Sequence, residues 1–194
     1  IKFFEMVKKK TCVFISGKGS NLRSLIKFSR NYNFPISVNL IVTNNRNAKG
    51  LNYAKINSIP YLIIDVKKRN YELKILNALK KNKISLICLA GFMKILSKKF
   101  ISEFRKKIIN IHPSLLPKFK GLNTYERILK KKEKRSGCTV HYIDEKLDNG
   151  KIILQKFFFI QDRYGINELK EKTQNLEYKS FSEALIKIYR YTNF

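Results

Sequence analysis

A chain of 194 residues, 44% hydrophobic and 12% aromatic, is long enough to bury a core of its own and too apolar for a disordered segment. Its formal net charge of +27, from 41 Lys and Arg against 14 Asp and Glu, would suit a polyanion, yet the excess is mainly lysine in short scattered runs (Lys8 to Lys10, Lys80/Lys81, Lys130 to Lys132), which favours solvated surface over a polyanion site. Three distant cysteines without a C-x-x-C pair (Cys12, Cys88, Cys138) and only two histidines argue against a disulfide framework, a zinc site or any other protein-held metal.

In chain order, Met6 followed by Val7 and three lysines makes a natural start, so residues 1–5 read as an upstream extension of one domain spanning 1–194. The apolar run from Cys12 to Ile15 is too short for a signal sequence or a membrane span, and the chain reads as cytoplasmic with no membrane partner. Thr11 to Ser16 predicts the first strand. It runs into Ser16-Gly-Lys-Gly-Ser-Asn21, where glycines permit tight turns and the N–H groups of a following helix can face an anion. The loop lacks the third glycine of a dinucleotide fingerprint and the Gly-Lys-Ser/Thr ending of a triphosphate loop. It reads either as a phosphate cradle or as a plain strand-to-helix turn capped by Ser20.

Leu22, Leu25, Ile26 and Ser29 predict a helix, followed by strands over Ser37 to Thr43 and Pro60 to Asp65. Tyr71, Ile75, Leu76 and Leu79 predict a second helix, and Ile84 to Ala90 another strand. Short β-branched runs alternating with helical segments are the pattern of an α/β fold with a mostly parallel twisted sheet and helices on both faces. Ile108 to His112 is a short strand leading into His112-Pro-Ser-Leu-Leu-Pro117. Asn110 and His112 alternate with one residue between them, so both project from one face and can reach one atom. An amide donor and an imidazole acid are two needs of acyl transfer through a tetrahedral intermediate. A helix over Thr124 to Lys132, strands over Cys138 to Ile143 and Ile152 to Phe159, and a helix over Asn167 to Tyr191 complete the chain. Asp148 sits between those strands in Leu147-Asp-Asn-Gly150, which is either an ordinary turn or the seat of a carboxylate that orients an imidazole.

Four blocks together, Ile15-Ser-Gly-Lys-Gly-Ser-Asn-Leu22, Leu89-Ala-Gly-Phe-Met-Lys-Ile-Leu96, Asn110-Ile-His-Pro-Ser-Leu-Leu-Pro117 and Leu147-Asp-Asn-Gly150, closely resemble the phosphoribosylglycinamide formyltransferase family. The resemblance runs from about residue 10 to 190 and implies a Rossmann-like formyltransferase fold. It implies direct transfer of a formyl group from the co-substrate 10-formyltetrahydrofolate to the amine of glycinamide ribonucleotide, in purine biosynthesis, without an acyl-enzyme or a metal. By motif position, Asn110 would bind the formyl oxygen, His112 would act as acid, and Asp148 would hold the protonated imidazole and assist proton movement. Gly19, Ser20 and Asn21 would hold the ribonucleotide phosphate and Glu177 its ribose, although Glu177 also reads as a solvated helix residue. Met93, Lys94, Ile95, Leu96, Asn110, Ile143, Asp144 and Leu147 would form the folate pocket, with Lys68, or Arg69 beside it, approaching the folate. Met93, Ile95 and Leu96 could equally be core.

The chain departs from the family at Lys94 in place of a usual Arg, Tyr178 in place of His, Ser182 near a usual Pro and Lys120 in place of a common Pro. The partners implied are small molecules, with no nucleic acid required and a monomer or homodimer as the active form. A methionyl-tRNA formyltransferase resembles the same centre and would put the charge to use on RNA, but it carries a second domain, whereas these 194 residues read as one. Deformylases that share the His block carry an N-terminal regulatory domain, and a non-enzymatic polyanion-binding module would leave the polar constellation without a role.

Overall fold

The computed structural model describes residues 7–190; the expected extension at 1–5, the start at Met6 and the helix end at Tyr191 lie outside the described residues. Thirteen elements alternate along the described chain: β1 (Lys9–Ile15), α1 (Ser20–Ser29), β2 (Ile36–Thr43), α2 (Leu51–Ile56), β3 (Tyr61–Ile63), α3 (Tyr71–Lys81), β4 (Leu86–Leu89), α4 (Lys98–Phe104), β5 (Lys107–His112), α5 (Thr124–Lys130), β6 (Arg135–Tyr142), β7 (Ile152–Phe159) and α6 (Ile166–Arg190). The strands form one sheet in the order β3-β2-β1-β4-β5-β6-β7. The first five are parallel; β6 pairs antiparallel with β5, and β7 pairs antiparallel with β6 and so runs in the direction of the first five.

The continuous apolar runs of the central strands follow from burial on both faces. In β1, Val13 and Ile15 join one core with α1 and α6, while Cys12 and Phe14 join a second core with α3 and α4. In β4, Leu86 and Cys88 face the first core, and Ile87 and Leu89 the second. Helices therefore cover both faces, as the sequence pattern predicts. Phe14 and Phe100, fully buried and edge to face, each contribute roughly 1.5–3 kcal/mol by burial. No helix among the described residues is long and apolar enough to cross a membrane.

Two helices escaped the sequence reading. α2 has only six residues, too few to show a period, and α4 is announced by Ser97, whose hydroxyl accepts the Phe100 N–H at 3.0 Å. β3 is shorter than the expected Pro60 to Asp65, although Pro60 and Ile64 still hydrogen-bond to β2 at 3.0 and 2.8 Å. β6 begins three residues before Cys138, through Arg135-Ser-Gly137, a sequence that reads as a turn. Gly137 is required there by packing, since a Cβ would lie 2.0 Å from the Lys156 carbonyl oxygen of β7. Ser20 is not the cap of α1: Gly19 occupies that place with φ 71°, Ser20 is the first helical residue, and no side chain caps the helix.

β1 is the switch point of the sheet, with β2 on one side and β4 on the other. Ligand crevices in open α/β sheets form beyond the carboxyl ends of such strands. The Ser16–Gly19 loop leaves β1 there, the Gly91–Leu96 segment leaves β4, and Asn110 and His112 lie at the same end of β5.

Candidate active site

Asn110 and His112 sit on β5 two residues apart, on the strand where the sheet changes from parallel to antiparallel pairing. That change brings His141 of β6 directly opposite Asn110. His141 is fully buried, and its Nδ1–H donates to the Tyr142 carbonyl at 2.9 Å. In the neutral ring Nε2 then carries the lone pair, and it accepts from the Asn110 side-chain NH2 at 3.2 Å. Burial lowers the His141 pKa and outweighs the Tyr142 carbonyl and the Asp148 charge, which act to raise it, so the neutral ring is the favoured one. This fixes which way the Asn110 amide faces and leaves its second N–H for another acceptor.

His112 is buried and has an oxygen at each ring nitrogen. Nδ1 lies 3.3 Å from Asp148 Oδ2, and Nε2 lies 2.9 Å from the Phe119 carbonyl. Only the doubly protonated ring donates to both. Asp148 is buried with φ 46°, a left-handed backbone that points its carboxylate back at β5. The Gly121 N–H donates to Oδ2 at 2.9 Å, and Oδ1 is 3.7 Å from His141 Nε2. The structure brings Asn110, His112 and Asp148 into one polar cluster, together with His141, which the sequence reading did not single out. It also missed the two backbone groups of Phe119 and Gly121, in a loop with three positive-φ residues, Phe119, Gly121 and Asn123. Lys120, in place of the family's common Pro, ties into this loop: its Nζ donates to Asn149 Oδ1 at 2.7 Å, and its carbonyl accepts from Arg127 at 2.6 Å.

A second polar cluster lies at the start of α1. Asn21 Nδ2 donates to Glu177 Oε2 at 2.8 Å, joining α1 to α6. Both side chains are nearly sealed, at 7% and 6% exposure, so Glu177 is no solvated helix residue. Burial pushes the Glu177 carboxyl up to about 7, against the opposing hydrogen bond from Asn21. Asn21 Oδ1 is buried without a hydrogen-bond partner. Burial first, then the Glu177 carboxyl, raise the pKa of the Tyr125 phenol, which belongs to the same neighbourhood. Gly19 is pressed against Gly50, whose Cα would stand 2.6 Å from a Cβ on Gly19; Gly50 is another residue the sequence reading missed. Ser182, near the family's usual Pro, keeps α6 continuous and returns its hydroxyl to the Tyr178 and Lys179 carbonyls at 3.2 and 3.0 Å.

The residues expected around a folate divide into exposed side chains and core. Met93 and Ile95 stand 63% and 72% exposed, with exposed Lys94 between them, while Leu96 is buried in the core with α3 and α4. Ile143 is half-buried against that same core, Asp144 and Leu147 are exposed, and Leu147 approaches Gly121. The Lys98–Glu145 ion pair, 2.9 Å long, holds the two segments side by side. Lys68 and Arg69 lie exposed between β3 and α3, where the structure gives Lys68 only backbone hydrogen bonds, to Asp65 and from Tyr71. No group of three or more His, Cys, Asp or Glu side chains among the described residues could hold a metal.

Residues 9–185 match the formyl transferase family. The chain is 38% identical over 177 residues to a phosphoribosylglycinamide formyltransferase of Haemophilus influenzae, covering 89% of this chain and 84% of that one. It is also 38% identical over 190 residues, 95% of its length, to the trifunctional purine biosynthetic protein adenosine-3 of Drosophila melanogaster, of which it spans 14%. Crystal structures of phosphoribosylglycinamide formyltransferases from Bacillus halodurans and Brucella melitensis superpose with TM-scores of 0.89 each, at 33% and 35% identity. They cover 93% and 94% of this chain, and the chain covers 95% and 96% of theirs.

Proposed function

The chain belongs to the formyl transferase family, and from that premise we propose that it moves the formyl group of 10-formyltetrahydrofolate onto the amine of glycinamide ribonucleotide, in purine synthesis. The observation that carries the choice of acceptor is the sealed Asn21–Glu177 pair beside a glycine loop that opens a helix. A phosphate fits the N–H groups at the start of α1, and a ribose diol fits the open acceptors of Glu177. Both substrates are small molecules, and we place the reaction in the cytoplasm.

In the reaction so assigned, the substrate amine attacks the formyl carbon, forming the new C–N bond as the carbonyl electron pair moves to oxygen. The free N–H of Asn110 donates to that developing oxyanion, an interaction that strengthens as charge forms. His112 supplies acid at the same centre, its Nε2 exchanging the Phe119 carbonyl for the reacting atom. Asp148 orients the ring through Nδ1 and assists, with a water, the passage of the amine proton to the departing folate nitrogen. Collapse of the intermediate breaks the bond from carbon to the folate and releases tetrahydrofolate. Met93 to Ile95 and Ile143 to Leu147 flank the folate, with Leu96 anchoring the first segment in the core and Lys68 or Arg69 nearest the folate's outer end.

Purified protein supplied with 10-formyltetrahydrofolate is expected to form formylglycinamide ribonucleotide. The same assay run with charged initiator tRNA tests the use that the +27 charge suggests. Formylation of the tRNA alone overturns the assignment.

A further inference from the structure

Ser16 stands where the two substrate regions meet. Its hydroxyl donates to Asn44 Oδ1 at 2.5 Å and accepts the Met93 N–H at 2.8 Å. Its own N–H donates to the Gly91 carbonyl at 3.1 Å, and its carbonyl accepts the Asn45 side-chain amide at 3.0 Å. One residue at the head of the glycine loop thus holds the segment after β4 and the segment after β2 together. The link continues along the loop, where the Gly50 N–H donates to the Gly17 carbonyl at 3.0 Å and Gly50 backs directly onto Gly19.

The Met93–Ile95 turn has little side-chain packing to hold it, since both apolar residues are largely exposed. Phe92 packs on Phe14 and Leu96 is buried on either side of the turn, and the backbone between them is tied through Gly91 and Met93, both of whose bonds end on Ser16. We propose that Ser16 is a positioning residue that couples the two substrates: a folate that orders the Met93 turn also orders the glycine loop, so each substrate raises the affinity for the other. The inference rests on the formyl-transfer reading above. When one ligand has already ordered a shared element, the second loses less entropy on binding, and linkage makes the effect mutual. An alanine at 16 would leave the Met93 N–H and Asn44 Oδ1 without their shared partner.

The test is calorimetric titration of the full chain with glycinamide ribonucleotide, with and without saturating tetrahydrofolate, and the converse titration. Each ligand is expected to tighten the other by about 5-fold or more in the unsubstituted protein. In Ser16→Ala that factor should fall below about 2-fold while ribonucleotide affinity alone changes by less than about 3-fold, and Ser16→Thr should restore it. Asn44→Ala, which leaves the bond to Met93, should lose part of the factor. Faster amide exchange at Met93 in unliganded Ser16→Ala would show the turn released in a folded protein. The proposal is overturned if the unsubstituted protein binds both ligands without cooperativity, or if Ser16→Ala keeps the full factor. Should Ser16→Ala fail to fold, a full factor in Asn44→Ala overturns it instead. Failure to bind either ligand strikes the formyl-transfer reading itself, and this inference with it.

Discussion

Two buried carboxylates sit in this site, and their surroundings differ. Asp148 lies against two imidazoles and receives the Gly121 N–H, so its partners are in place before any ligand arrives. Glu177 has a single amide, Asn21, and burial pushes its carboxyl up to about 7. In the proposed reaction the first group meets charge that forms at the imidazole, and the second, with one amide donor, takes the hydroxyls of the acceptor. On the proposed reading, catalysis and recognition fall to two separate polar clusters, one around Asp148 and one around Glu177.

The sharpest way to break this division is at His112 and Asp148. We expect His112→Ala and Asp148→Asn to lower kcat by about 10²–10⁴-fold while ribonucleotide affinity, read by titration, stays near the unsubstituted value. A loss of affinity with turnover intact would reverse the roles of the two clusters. Next in size is His141→Ala, which frees the Asn110 amide to rotate. Losing that orienting bond should lower kcat by about 5–150-fold, the equivalent of about 1–3 kcal/mol, with less change in KM.

Glu177→Gln sharpens the other side. The carboxyl is raised when folded, so the stability it contributes is complete below the ordinary value of 4.5 and is lost as pH rises through about 7. Thermal melts of the unliganded protein should therefore fall across that window, and the fall should be smaller in Glu177→Gln. Ribonucleotide affinity should move the opposite way, rising through about pH 7 as the carboxylate forms and turning flat in the variant. A melt that rises across the window would contradict the assignment of burial as the cause. The smallest effect is expected from Lys120→Ala, which removes an exposed tether to Asn149; melting should place it within about 0.5 kcal/mol of the parent.

Much of the scaffold was legible because the central strands are buried on both faces, which leaves long apolar runs such as Thr11 to Ile15. Asn110 and His112 were legible as a pair because strand geometry alone puts alternate residues on one face. His141 was not, since its place opposite Asn110 depends on an antiparallel register between strands separated by a helix. A cap at Ser20, one of the two readings its residue type allows, gives way to the left-handed Gly19, which ends the loop one residue earlier. The burial of Glu177 depends on how α6 lies against α1, which periodicity along α6 alone does not report. Leu96 illustrates the reverse: its motif points to a pocket, and the side chain fills the core.

The Asn21–Glu177 hydrogen bond spans 156 residues of chain. During synthesis α1 leaves the ribosome long before α6, so the glycine loop waits, with Asn21 unmatched, until nearly all of the described chain has emerged. Asn110, His112, His141 and Asp148 come from adjoining stretches and can find one another earlier. On the proposed reading, the residues assigned to formyl transfer can meet before those assigned to the acceptor, and the Asn21–Glu177 contact would be among the slowest to form.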